Sequence, residues 1–244
     1  MNHYRADLHM HTVLSPCGDL EMSPHHILDK ASQRGLDIIA ITDHNTTLHA
    51  QVISSLSGMY GIRVISGAEV TSKEEVHCVC LLPDDKLAEF QSYLNQYLIQ
   101  IPNDPQKLGE QLVVNEAEEI LQEIPYSLLA SLDQSIDEIN KKVHQLNGLF
   151  IPAHIERPMF SLLSQLGFLP NDLNEDALEI SSHTTKEAMI SKYPHLKEKT
   201  LIQSSDAHYI EDIGKTHTLF KMKNRSFEEL RKAIHQTEGR NTYI

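Results

Sequence analysis

The chain has 244 residues, 40% of them hydrophobic and 23% charged, which suits one barrel-sized or doubly wound domain and excludes wholesale disorder. Lys plus Arg number 21 against 34 Asp plus Glu, a formal charge of −13, so no extended nucleic-acid surface is expected, because phosphate-backbone affinity needs clustered cations. Three cysteines argue against a disulfide framework, and neither a signal peptide nor an apolar run of about 18 residues is present, so the expectation is a soluble cytoplasmic protein that does not meet a membrane.

Tyr4 to Leu8 reads as the first strand. It runs into Asp7-Leu8-His9-Met10-His11, whose i, i+2 spacing puts both imidazoles on one face of an extended chain, ready to grip one ion. An ordinary surface histidine pair is the alternative. Ser23 and Pro24 open a helix that Gly35 stops after Arg34. Leu36 to Ile41 is a second strand, ending in Thr42-Asp43-His44. There Asp43 either orients a ligand imidazole or merely caps a helix. Thr46 opens the next helix and Gly61 closes it.

Ile62 to Val70 and Val76 to Leu82 are two more strands. Glu69 follows small residues in an apolar context, so it must be paired, exposed or metal-bound. His77 alternates with Val79 and Leu81, which leaves Cys78 and Cys80 to pack against a helical layer. A helix covers about Asp84 to Gln100. Ile101 to Ala130, interrupted by Pro102, Pro105 and Pro125, reads as an insertion with one helix around Val114 to Glu123, its glutamates forming a solvated face. Leu132 to Leu146 is a helix stopped near Gly148. Leu149 to Ala153, Ala177 to Ile180 and Thr200 to Gln203 are later strands, and Ser226 to His235 is a last helix. Strands separated by helices imply right-handed βαβ units in a parallel sheet or barrel.

Of the 15 histidines, His9, His11, His44, His77, His154 and His208 gather with the carboxylates where these strands end. His154 follows the strand from Leu149, and Ser205-Asp206-Ala207-His208 gives a second i, i+2 pair. Parallel α/β folds place active sites at that edge, so the joint pattern reads as a metal centre. Neutral imidazoles with carboxylates suit Zn, Mn or Fe. Arg157 either clamps a phosphate or pairs with a surface carboxylate such as Glu156. His183 either contacts substrate as a proton donor or sits in a helix-capping loop. His25, His26, His49, His144, His195, His217 and His235 read as solvated or packed, without a role.

The ordered motifs Asp7-Leu8-His9-Met10-His11-Thr12, Ile41-Thr42-Asp43-His44, Gly67-Ala68-Glu69, Ala153-His154 and Ser205-Asp206-Ala207-His208 resemble those of the PHP superfamily (polymerase and histidinol phosphatase domains) from about residue 4 to 217. The resemblance implies a single domain: a distorted seven-stranded, TIM-like β/α barrel with two or three divalent ions at its C-terminal mouth. His9, His11, His44, Glu69, His77, His154, Asp206 and His208 are the implied ligands, with Glu69 bridging two ions. Family members often carry Ser-Asp-Gly after the first histidines. Here the chain has Ser15-Pro16-Cys17-Gly18-Asp19, so either Asp19 or Cys17 takes that place. The implied activity is hydrolysis of a small phosphate ester, such as a nucleotide, short oligonucleotide or sugar phosphate, by a metal-bridging hydroxide. Asp206, Asp43 and His183 are the candidate catalytic groups, and Arg157 and His183 the candidate substrate contacts. A metal-stabilised regulatory module and a C–N or lactone hydrolase are the competing expectations.

Overall fold

The computed structural model describes residues 1–170 and 172–244. Its strands are β1 (Asn2–Asp7), β2 (Ile38–Ile41), β3 (Arg63–Thr71), β4 (His77–Leu82), β5 (Leu112–Val114), β6 (Ile120–Glu123), β7 (Leu149–Pro152), β8 (Leu178–Glu179), β9 (Leu201–Ile202), β10 (Thr218–Met222) and β11 (Asn241–Tyr243). The helices are α1 (Pro24–Gln33), α2 (Leu48–Leu56), α3 (Leu87–Tyr97), α4 (Pro105–Leu108), α5 (Ile136–Gln145), α6 (Leu162–Leu166), α7 (Lys186–Lys192) and α8 (Phe227–Ile234). Local chemistry sets several of these ends. Ser135 and Glu138 form a reciprocal capping box on α5, and the Ser226 side chain caps α8.

Seven strands share one curled sheet in the order β11-β10-β1-β2-β3-β4-β7. β1, β2 and β3 are parallel, as expected. The rest of the sheet corrects the parallel reading: β4 is antiparallel to β3 and β7, and β10 to β1 and β11. The reason at β3–β4 is the length of the link. Between Thr71 and His77 runs a tight turn, closed by Ser72 N–H to Val76 O at 2.9 Å, whereas a parallel return needs a crossover of about a dozen residues. A closed barrel ring is likewise not what the hydrogen bonding shows. β8 and β9 form a separate parallel pair, joined to the sheet by Ile155 N–H to Glu179 O (2.9 Å) and Asp206 N–H to His9 O (3.0 Å).

The insertion carries a second correction. No helix spans Val114 to Glu123; β5 and β6 pair there as a hairpin. Asn115 Oδ1 accepts from the Ala117 and Glu119 amides, and Glu118 takes a positive φ of 60°, so an Asx-type turn claims the residues a helix would have used.

Alternation along the strands divides the core. Val79, Leu81, Leu149 and Ile151 meet Leu8, Ile38 and Ile65 inside the curl, while Cys78, Cys80 and Phe150 face Phe90 and Ile139 on the helical side. The cysteines are therefore packing residues, and the inner face is left to present His77 at its rim.

Candidate metal centre

His9 and His11 follow β1, His44 follows β2, Glu69 lies near the end of β3, His154 follows β7, and Asp206 with His208 follows β9. β4 runs the other way, so its first residue, His77, arrives at the same edge. Glu69 sits at the centre. Its Oε1 lies 2.9 Å from His77 Nδ1, 3.2 Å from His154 Nε2 and 3.3 Å from His9 Nε2; its Oε2 lies 3.1 Å from His44 Nδ1 and 3.5 Å from His11 Nε2. Asp206 Oδ1 lies 3.4 Å from His9 Nε2 and 3.3 Å from His11 Nε2.

These spacings fit metal coordination. Ligands at about 2.0–2.1 Å from a tetrahedral ion are about 3.3–3.4 Å from one another. Three groups close enough to hold an ion recur: His9 with His11 and Asp206; His44 with Glu69 and His77; His11 with His44 and His208. His9 Nε2, His11 Nε2, His44 Nδ1 and Asp206 Oδ1 are buried with no hydrogen-bond partner among the described residues. Such orphans cost about 1–3 kcal/mol apiece unless something charged meets them.

The electrostatics agree. Burial alone would lower the pKa of His9, but Glu179, Glu69 and Asp206 raise it well above the ordinary value, so the cup favours a positive charge there. Burial opposes ionisation of Glu69 and Asp206 too, yet the imidazoles hold both carboxyls below their usual range. Burial and the neighbouring His11 lower His208 to about 4, so its ring is neutral, as a ligand must be. His154 (φ 30°) and Asp206 (φ 51°) adopt left-handed backbone that non-glycine residues avoid.

Around the donors lies an orienting layer. Glu179, which sequence reasoning passed over, is buried and places its carboxylate 3.1 Å from His9 Nδ1. That holds the ring hydrogen on Nδ1 and frees Nε2 for an ion. Glu179→Gln is expected to weaken metal affinity by about 10–100-fold with far-ultraviolet circular dichroism unchanged, as read by chelator competition. Asp43 stands as an orienting carboxylate, but for a ring other than that of the adjacent His44. It accepts from Ser15 Oγ at 2.7 Å, and Ser15 Oγ lies 2.9 Å from His11 Nδ1, so the imidazole it orients is His11.

Other expected residues are placed as follows. Arg157 Nη1 meets Asp206 Oδ2 at 2.5 Å, and its side chain is one-third exposed at the rim. Asp19 accepts from the Glu21 amide at 2.8 Å, and Cys17 is exposed; neither joins the three metal-holding groups. His183 is exposed in the loop before α7 and does not line the mouth. The mouth, of about 210 Å³, is bounded by Arg157, Pro158, Met159 and Phe160 above the donors.

Residues 7–243 match the family model for the PHP domain. The chain belongs to the PHP family. Its donors are those of a metal-dependent hydrolase, in keeping with that membership. A phosphoribosyl 1,2-cyclic phosphate 1,2-diphosphodiesterase from Eggerthella lenta is 33% identical over 66 residues, covering 27% of this PHP chain and 24% of the relative. The lesion-specific endonuclease Q of Pyrococcus furiosus superposes with a TM-score of 0.76 at 21% identity, covering 99% of this chain and 58% of that one. Endonuclease Q in complex with a 27-mer duplex bearing an abasic lesion gives a TM-score of 0.75 at 21% identity, with 98% and 58% covered. This chain thus spans less than two thirds of these relatives, and at such identity the structural likeness concerns the fold.

The duplex complex overturns the expectation of no extended nucleic-acid surface, since a chain of this fold holds one. The physical reason is that net charge is a poor guide here. Asp7, Asp43, Glu69 and Glu179 are buried and turned inward, so part of the acidic total never reaches the surface. Among the described residues, no helix is long and apolar enough to cross a membrane.

Proposed function

We propose that this chain is a metal-dependent phosphoesterase that hydrolyses a nucleotide, an oligonucleotide or a comparably small phosphate ester at the mouth of the cup. The observation that carries the reading is one buried carboxylate, Glu69, within 3.5 Å of five imidazole nitrogens, with an arginine at the rim. His9, His11, His44, Glu69, His77, His154, Asp206 and His208 would hold two or three divalent ions of the Zn, Mn or Fe kind. Bound there, such ions supply Lewis acidity and a water acidified toward neutral pH.

The chain's own groups do the rest. Arg157 keeps a planar guanidinium fork at the rim, where it can bind two phosphate oxygens while Asp206 steadies it. Phe160 stacks on His77 with ring centroids 4.7 Å apart, and with Pro158 and Met159 it gives the mouth an apolar wall. A phosphate with a flat or apolar neighbour, as in a nucleotide, matches that pairing of charge and wall. The phosphodiesterase name of the Eggerthella relative supports the reaction class.

The test is turnover by protein stripped of metal and reloaded with Mn, Zn or Fe. Phosphate monoesters, cyclic and linear diesters and a duplex with an abasic lesion form one arm; amides and lactones form the other. Ester hydrolysis that a chelator abolishes, and that Asp206→Asn lacks, is expected. A loaded protein that cleaves only an amide or lactone would make it a C–N or lactone hydrolase. No turnover, with unfolding on chelation, would make it a binding module.

A further inference from the structure

His49, on the first turn of α2, is fully buried and lies outside the donor cluster. Its ring bridges two parts of the chain. Nε2 accepts from the Val114 amide of β5 at 2.9 Å, and Nδ1 lies 2.6 Å from Thr12 Oγ1.

The tautomers along this path follow from donor counting. A backbone amide can only donate, so Nε2 of His49 carries no hydrogen, and Nδ1–H donates to Thr12 Oγ1. Thr12 Oγ1 also accepts from the Leu14 amide at 3.1 Å, which fills its lone pairs, so its own hydrogen goes to Asp43 Oδ2 at 2.9 Å. Asp43 Oδ1 then takes the Thr12 amide and the Ser15 hydroxyl, both at 2.7 Å. Ser15 Oγ, having given its hydrogen away, accepts from His11 Nδ1 at 2.9 Å. His11 Nε2 is left with a free lone pair aimed into the cup.

We propose that His49 is a positioning residue that ties the β5–β6 hairpin to the metal ligand His11 through Thr12, Asp43 and Ser15. The assignment rests on His11 being a ligand, as proposed above. The insertion thereby helps assemble the metal centre from behind, and hairpin and metal site stabilise one another reciprocally.

Two substitutions separate the halves of the bridge. In His49→Asn the amide nitrogen takes the place of Nδ1 and keeps the donor to Thr12. In His49→Gln the amide oxygen takes the place of Nε2 and keeps the acceptor for Val114, losing the donor. Chelator competition with Mn or Zn, nitrogen-15 imidazole spectra of the stripped protein and a denaturation midpoint are read for each. Because each variant cuts one end of the bridge, both are expected to bind metal about 10–100-fold more weakly than wild type and to shift the His11 ring nitrogen resonances. Both variants losing stability alone, with wild-type affinity and unchanged His11 ring nitrogen resonances, would overturn the proposal. Failure of the metal reading is seen separately, as wild-type protein that takes up no ion. The His11 ring nitrogen resonances of the stripped variants then decide the coupling.

Discussion

Glu69→Gln is expected to lower turnover by about a thousandfold or more and to lower metal content with it. The substitution keeps size and shape but removes the charge that five imidazoles face at 2.9–3.5 Å. A neutral amide presents one oxygen and one NH2, and the NH2 must point toward a ring nitrogen whose lone pair an ion would use. Loss of one group that stabilises charge in a dry site costs about 10²–10³ in rate, and a carboxylate that faces five imidazoles exceeds that. Metal analysis beside steady-state kinetics checks the prediction, with circular dichroism to show the fold retained. Turnover within tenfold of wild type would remove Glu69 from the centre of the site.

Phe150→Ala is expected to destabilise the fold by about 3–5 kcal/mol, a large fraction of the roughly 5–15 kcal/mol that holds a domain together. Phe150 is fully buried on the helical side of β7, and its strand ends two residues before His154. Its backbone is held on one side by Asp176, with N–H to Asp176 Oδ2 at 2.7 Å and Asp176 N–H to its carbonyl at 3.0 Å, and on the other by β4, so the strand cannot close into the space a lost ring would leave. At about 2–4 °C per kcal/mol for a chain of this size, the midpoint should fall by roughly 6–20 °C in thermal denaturation. Saturating metal should return part of the loss, since a ligand at about 100 times its Kd adds about 2.7 kcal/mol. A fall below 2 °C would mean that β7 is not held by this core.

That the donor side chains would gather at one edge was legible in the sequence because the signal is local. His9 and His11, and Asp206 and His208, are i, i+2 pairs just beyond short apolar runs, and Glu69 is an acid that such a run cannot leave unpaired. Glu179 lacks such a mark. It is one acid inside Ala177-Leu178-Glu179-Ile180, and its partner His9 is 170 residues away. His49 was set aside for the same reason, since Thr12 and Val114 are 37 and 65 residues from it. The hairpin was misread because Glu116 to Glu123 fits a solvated helix as well as a turn, and only the Asn115 side chain decides between them. β10 did carry a signal: Thr218, Phe220 and Met222 are buried and Leu219 and Lys221 partly exposed, the period-two pattern of a strand in five residues.

The central claim is that distant side chains close on shared cations. Anomalous diffraction from crystals grown with Mn or Zn tests it most directly. At least two peaks are expected inside the cup, each within about 2.0–2.3 Å of the donors named, with Glu69 touching both. Peaks only at surface histidines such as His235, with the cup empty and His9, Glu69, His154 and Asp206 unmoved, would contradict it.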